Sequence, residues 1–162
     1  MLVTREADYA IRCVIEVALH GRISAAQVAD LQHISPTFLG KIVHSLAKAG
    51  VLATRRGVGG GIALGAPIEE LTLLQVIEAV EGPLCLNECL ARPPRCGHIE
   101  TCPAYPILCQ AQENLRDILS VSFAEVIGRS PKAALLAMVD LPSWSLDGNH
   151  GDGKGLEAGE SP

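Results

Sequence analysis

"ISPTFLGKIVHSLAKAGVLATRRGVGGGIALG", residues 34–65, changes its hydrophobic period part-way along. Up to Lys48 the apolar residues Leu39, Ile42, Val43 and Leu46 recur three and four positions apart, the spacing of one helix face. Ser35 stands where the helix would be capped. Pro36 takes the first helical position, where a missing N–H removes no bond, and Gly50 stops the run. From Val51 the pattern becomes two short strand-like runs, "VLATRR" and "IALG", joined by "GVGGG", whose glycines can take positive φ. The stretch therefore predicts a capped helix that leads directly into a hairpin.

Upstream, Ile11, Val14, Ile15, Ala18 and Leu19 predict an amphipathic helix over residues 5–19, ended by Gly21. Ser24 followed by Gln27 is a capping box, so a second, short helix starts there, with Val28 and Leu31 as its expected buried pair. Helix, short capped helix, turn, capped helix and hairpin is the order of a winged helix-turn-helix, in which the third helix enters the major groove of DNA. The face of that helix opposite its apolar stripe shows Thr37, Gly40, Lys41, His44, Ser45 and Lys48, small or donor-bearing groups suited to phosphates and base edges. The expected DNA contacts are Ser35, Thr37, Lys41, His44 and Arg56, with Gly59 and Gly60 letting the wing backbone come close.

Downstream, Thr72 with Gln75 makes another capping box, followed by Val76, Ile77 and Val80 and stopped by Gly82. One long helix is expected from Pro106 to Ile127, with Leu108, Ala111, Leu115, Ile118, Leu119, Ser122 and Val126 at three-four spacing; a stripe that long calls for a partner helix. A short helix is expected after Ser130–Pro131. Residues 146–162, rich in Gly, Asp and Glu, read as a disordered tail. The fold class is thus mainly α with a small β-hairpin wing: a DNA-binding head (1–82), a cysteine-rich loop (83–105), a dimerisation helix (106–128) and a largely disordered C-terminal extension (129–162).

Composition bounds the function. The net charge of −5 conceals an asymmetry, since residues 1–60 carry seven Lys/Arg against four Asp/Glu and residues 61–162 carry six against fourteen. The positive charge sits where DNA reading would need it. No apolar run approaches the roughly 20 residues of a membrane span, and "MLVTREADYA" has no apolar signal segment, so a cytoplasmic protein is expected. No Ser-His-Asp set, phosphate-cradling loop or paired carboxylates point to an enzyme.

Five of the six cysteines (13, 85, 89, 96, 102 and 109) lie between residues 85 and 109. Clustered thiols in a cytosolic chain point to metal or redox chemistry. No Cys-x-x-Cys pair is present, and only Cys85 and Cys89 fit the close spacing of a zinc knuckle. Wider gaps suit an iron–sulfur cluster held by a loop. By chemistry the order is iron–sulfur first, zinc second and a redox disulfide third.

"TREADYAIR", "ISPTFLGKIVHSLAKAGVL", "RRGVGGGIALG" and "LTLLQVIEAVEG", with the cysteines that follow, resemble the bacterial Rrf-two family of winged-helix regulators of the cluster-binding, IscR- and NsrR-like type. The resemblance covers residues 1 to about 128. It implies a homodimer joined by the long helix and reading a palindromic operator in double-stranded DNA. It also implies Cys89, Cys96 and Cys102 as ligands of a cluster, [4Fe–4S] in preference to [2Fe–2S]. The fourth ligand varies within the family. The place of a histidine used by IscR-like members holds Tyr105, whereas Asp8 stands where NsrR-like members draw an aspartate from the other subunit. Cys85, His98 and Cys109 are local competitors, Cys109 being set aside because it falls inside the dimer helix. Some members carry an acid at the Gly40 position for choosing between DNA sites; this chain has no side chain there. The expected function is a transcriptional regulator, a repressor, whose cluster senses iron–sulfur status, nitric oxide or redox stress. The alternatives are a cluster-free regulator answering to thiol state or a metabolite, and a zinc-stabilised interaction module without DNA binding.

Overall fold

The computed structural model describes residues 4–57 and 59–129. In chain order they form α1 (Arg5–His20), α2 (Ala25–Gln32), α3 (Pro36–Lys48), β1 (Leu52–Arg55), β2 (Gly61–Leu64) and α4 (Leu73–Glu81). Two 3-10 turns follow, Glu88–Leu90 and Ile99–Thr101, and then α5 (Tyr105–Leu119) and α6 (Phe123–Gly128).

The helix starts follow from their caps. Thr4 Oγ1 accepts from the N–H groups of Glu6 and Ala7, and both predicted capping boxes, Ser24/Gln27 and Thr72/Gln75, are formed reciprocally. The apolar stripes then meet in one core. Cys13, Val14 and Val17 of α1, Val28 of α2, Leu39, Ile42 and Leu46 of α3 and Val76 of α4 are fully buried together. Each such aliphatic side chain contributes about 1.5–3 kcal/mol by leaving water. Tyr9 of α1 meets Phe38 of α3 edge to face, with ring centroids 5.8 Å apart.

The wing is an antiparallel hairpin with Leu52 opposite Leu64 and Arg55 opposite Gly61. It is tied to the head by a further pair of backbone bonds: Ile23 N–H donates to Ile62 O at 3.0 Å and Ile62 N–H to Ile23 O at 2.8 Å. Gly60 closes the turn by donating to Gly57 O at 2.9 Å. A Cβ at Gly60 would stand 2.4 Å from Arg55 O, so the turn itself excludes any side chain there.

Four expectations are corrected. The single helix from Pro106 to Ile127 is two helices, because Ser122 leaves the helix and caps α6, its hydroxyl accepting from Glu125 N–H. The break lets Phe123 turn inward, where it is 0% exposed. It also lets the junction pair with the start of α4, Leu73 N–H donating to Val121 O at 3.0 Å and Phe123 N–H to Leu71 O at 2.8 Å. Second, Leu31 is 52% exposed; Ala29 shares the buried face of α2 with Val28 instead. Third, Ser35 stands at the N-cap of α3 but its hydroxyl makes no capping bond. Fourth, the stripe of α5 is two faces. Leu108, Leu115 and Leu119 are half-buried, while Ile107 and Ile118 are 67% and 70% exposed, with Ala111 exposed between them. The helix expected after Ser130–Pro131 and the disordered extension lie outside the described residues, apart from Arg129.

Candidate nucleic-acid face and cysteine site

Thr37, Lys41, His44 and Lys48 recur at three and four residues along α3, on the face turned away from Leu39, Ile42 and Leu46. The first three and Lys48 are exposed, as are Ser35 at the helix entry and Arg55 and Arg56 at the end of β1. Among the described residues none of these four cations pairs with a carboxylate, whereas Arg12, Arg116 and Arg129 each do. Charges left in water in this way are available to phosphates. With no capping role inside the chain, the Ser35 hydroxyl is likewise available. Gly40 lies on this side too, and a Cβ there would meet nothing within 4 Å. Of the two wing glycines, Gly59 takes a positive φ of 73° and is exposed, and Gly60 has the internal reason given above.

The cysteine loop is fastened to helices on both sides. Glu78 Oε1 on α4 accepts from Leu84 N–H at 2.9 Å and from Arg116 of α5 at 2.9 Å. Gln112 Oε1 of α5 accepts from Leu86 N–H at 3.0 Å. Asn87 then caps the 3-10 turn that carries Cys89, its side chain accepting from Glu88 N–H. Cys89 is buried, and Cys96, Cys102 and Cys109 are half-buried. All six thiols are free, so no disulfide framework exists.

Three of the thiols, but not Cys96 or Cys102, line a groove between the loop and α5. Cys85, Cys89, Tyr105, Cys109 and Gln112 line it, and its volume of about 1230 Å³ exceeds the ~300–1,000 Å³ of fitted small-molecule sites. Burial raises the Cys89 thiol above its ordinary range. The charge of Cys96 adds to this, and those of Cys102 and Cys109 add less, against a backbone N–H that favours the thiolate. Tyr105 is raised as well, first through the neighbouring Cys109. Among the described residues no three His, Cys, Asp or Glu side chains gather closely enough to hold a metal ion.

Asp8 is not part of this groove within one chain. It stays on α1, half-exposed, with Oδ2 2.9 Å and Oδ1 3.2 Å from the Arg12 guanidinium. His98 is exposed at the entry to the second 3-10 turn. Cys13 is a different kind of thiol: buried in the head and pushed up to about 12, by desolvation and then by Glu16, it is part of the packing. The loop fastenings Glu78, Gln112 and Arg116 escaped the sequence reading, since nothing in a lone Glu, Gln or Arg on a helix announces a partner 6 to 38 residues away.

The sequence profile of the Rrf2 family, described as an iron-dependent transcriptional regulator, matches residues 3–129. The chain is 38% identical over 95 residues to the HTH-type transcriptional regulator NsrR of Shouchella clausii, a match covering 57% of this chain and 64% of that protein. It is 36% identical over 95 residues to the HTH-type transcriptional regulator IscR of Vibrio atlanticus, covering 57% of this chain and 55% of that one. The matches thus span less than two thirds of these relatives' length. The solved structure of T. potens IscR has the same fold, with a TM-score of 0.65 at 19% identity over 82% of this chain and 90% of that chain.

Proposed function

Because the chain belongs to the Rrf2 family of transcriptional regulators, we propose that it is a DNA-binding repressor governed by an iron–sulfur cluster. The observation that carries this reading is the set of free thiols centred on buried Cys89, in a loop fastened to the helix that packs against the DNA-reading head. Cys89, Cys96 and Cys102 hold the cluster, of the [4Fe–4S] type. When bound, it supplies a centre that oxidants, nitric oxide or iron shortage can alter.

The chain's own residues do the rest. Ser35, Thr37, Lys41 and His44 of α3 meet the major groove, and Arg56 and the backbone at Gly59 meet the phosphates beside it. Two copies pair through the outward face of α5, where Ile107, Ala111 and Ile118 are exposed among the described residues, and the pair reads a palindromic site. Work of this kind belongs in the cytoplasm. Among the described residues no helix is long and apolar enough to cross a membrane.

Anaerobic purification with iron and acid-labile sulfide analysis tests the cluster: a colourless protein with one zinc per chain would sink it. Titration of duplex DNA at several salt concentrations tests the head. Lys41→Ala is expected to weaken binding and to lower the salt slope by about one. The free state of every thiol favours one further reading, a cluster-free regulator that answers to thiol oxidation. Cys96→Ala separates the two: under the cluster reading it abolishes iron content together with the response of DNA binding to oxygen or nitric oxide.

A further inference from the structure

We infer that Glu16 positions the DNA-reading helix: its carboxylate holds Gln32 at the end of α2 and so sets the turn from which α3 departs toward the major groove. This rests on the DNA-binding reading above and holds whatever the cysteines bind.

Glu16 is the one charged side chain buried among the described residues. It lies on α1, and its Oε1 accepts from Gln32 Nε2 at 2.7 Å, a bond that joins α1 to the last residue of α2. Only His33, Ile34 and Ser35 then separate α2 from α3. His33 takes a left-handed φ of 53°, which a residue with a Cβ adopts at a cost. Ile34 turns inward, 6% exposed, and its N–H donates to Ala29 O at 2.9 Å. Ser35 makes no cap bond, whereas Thr4, Ser24 and Thr72 cap the other three helices of the head. The entry to α3 is therefore held from α1 and α2. Among the described residues, Gln32 to Glu16 is the side-chain hydrogen bond that holds it.

Packing alone does not account for a carboxylate here. Its second oxygen, Oε2, is buried without a hydrogen-bond partner among the described residues. The half-exposed His20 ring comes within 3.2 Å of that oxygen but is not aligned to donate to it. A buried carboxylate satisfied at one oxygen opposes folding, and an aliphatic side chain of similar size serves a core better. What an aliphatic chain cannot do is accept from Gln32. The carboxylate thus costs stability and fixes a direction. A shift of the turn would tilt Thr37, Lys41 and His44 together, because all three ride on α3. Bonds to base edges need aligned donors, whereas attraction to phosphates tolerates a tilt. Losing the Glu16 bond should therefore erase sequence preference and spare general affinity for DNA.

The test uses the full chain and two duplexes, the one that wild type enriches most from a random-sequence pool and a shuffled duplex of the same composition. Fluorescence anisotropy at fixed salt gives both affinities, and urea unfolding gives stability, for wild type, Glu16→Gln, Glu16→Leu and Gln32→Leu. Glu16→Leu is expected to unfold at the wild-type urea concentration or above it and to bind the shuffled duplex as wild type does. Its preference for the enriched duplex is expected to fall about tenfold or more. Gln32→Leu is expected to behave in the same way. Glu16→Gln, whose amide oxygen still accepts, is expected to keep the preference within about threefold of wild type. If Glu16→Leu does not fold, Gln32→Leu decides, since Gln32 is only partly buried. A folded leucine variant with wild-type preference overturns the assignment. Equal weakening on both duplexes with a lower urea midpoint also overturns it, as the mark of a merely structural role. Wild type that enriches no duplex overturns the DNA-binding reading and this assignment with it, so the two failures are told apart by the first sample.

Discussion

Arg116 of α5 and Glu78 of α4 meet at 2.9 Å, and the same carboxylate oxygen receives the backbone N–H of Leu84 at the start of the cysteine loop. One acceptor thus joins the cysteine loop, the helix behind it and the helix that packs on α1 and α3. Arg116→Ala is expected to leave iron content unchanged while the change in DNA affinity on cluster loss shrinks toward none. Binding assays on cluster-loaded and cluster-free protein check this. Both side chains are partly exposed, so the stability change should stay within about 1 kcal/mol in urea unfolding.

Two glycines separate what the fold needs from what it does not. At Gly60 an added Cβ would press on Arg55 O and Gly57 O, backbone atoms that cannot yield, so Gly60→Ala is expected to destabilise by about 1–3 kcal/mol. Gly40 sits within α3 with open space around it, and Gly40→Ala should stabilise by about 0.8–1.0 kcal/mol through helix propensity alone. Measured together, unfolding and DNA binding give a clean contrast: if α3 enters the groove, Gly40→Ala alters affinity while making the protein more stable.

Ile118 is 70% exposed and lies on the outward face of α5 with Ile107. Ile118→Glu removes little packing among the described residues, so the fold should survive. Light scattering after size exclusion is expected to show a monomer where wild type shows a dimer, and binding to a palindromic duplex should weaken far more than binding to a half-site. A dimer that persists would move the interface elsewhere.

The head should report alkaline conditions through Cys13. Its thiol is raised from 9.0 to about 12 in the folded chain, while the unfolded chain ionises at the ordinary value. Through that window the unfolded state gives up a proton the folded state keeps, so stability falls as pH rises and is unaffected below it. Denaturation midpoints of wild type are expected to drop between pH 9 and 11, and Cys13→Ala should flatten that slope. At pH 8 the same burial should leave Cys13 unmodified by iodoacetamide in the native protein, while Cys85 reacts.

The head was legible because its signals are local. Capping boxes at Ser24 and Thr72, Pro36 at a helix start and the change of period at Val51 each involve residues a few positions apart, and each appears where expected. The cysteine-bearing half was legible in content but not in arrangement. The clustering of the thiols is visible along the chain, but only the packing of the Cys89 turn on α5 brings Cys89 and Cys109 to one groove. Phe123 was hidden for a related reason. It falls beside the expected stripe, next to Ser122, and nothing local says that Ser122 will break the helix so that the ring can enter a core built by residues 10–76. Ser35 erred the other way: a residue type that favours the cap position did not make the cap bond.

The paired backbone bonds between Ile23 and Ile62 leave the wing little freedom to swing against α2 and α3. Under the proposed function, each protomer would meet the duplex as the jaw of a caliper does a workpiece, its own profile constant. What a signal would change is the opening between two jaws, and that opening would be set through α5, against which the thiol loop packs. Operators that differ only in the distance between half-sites are the ones such an instrument would sort.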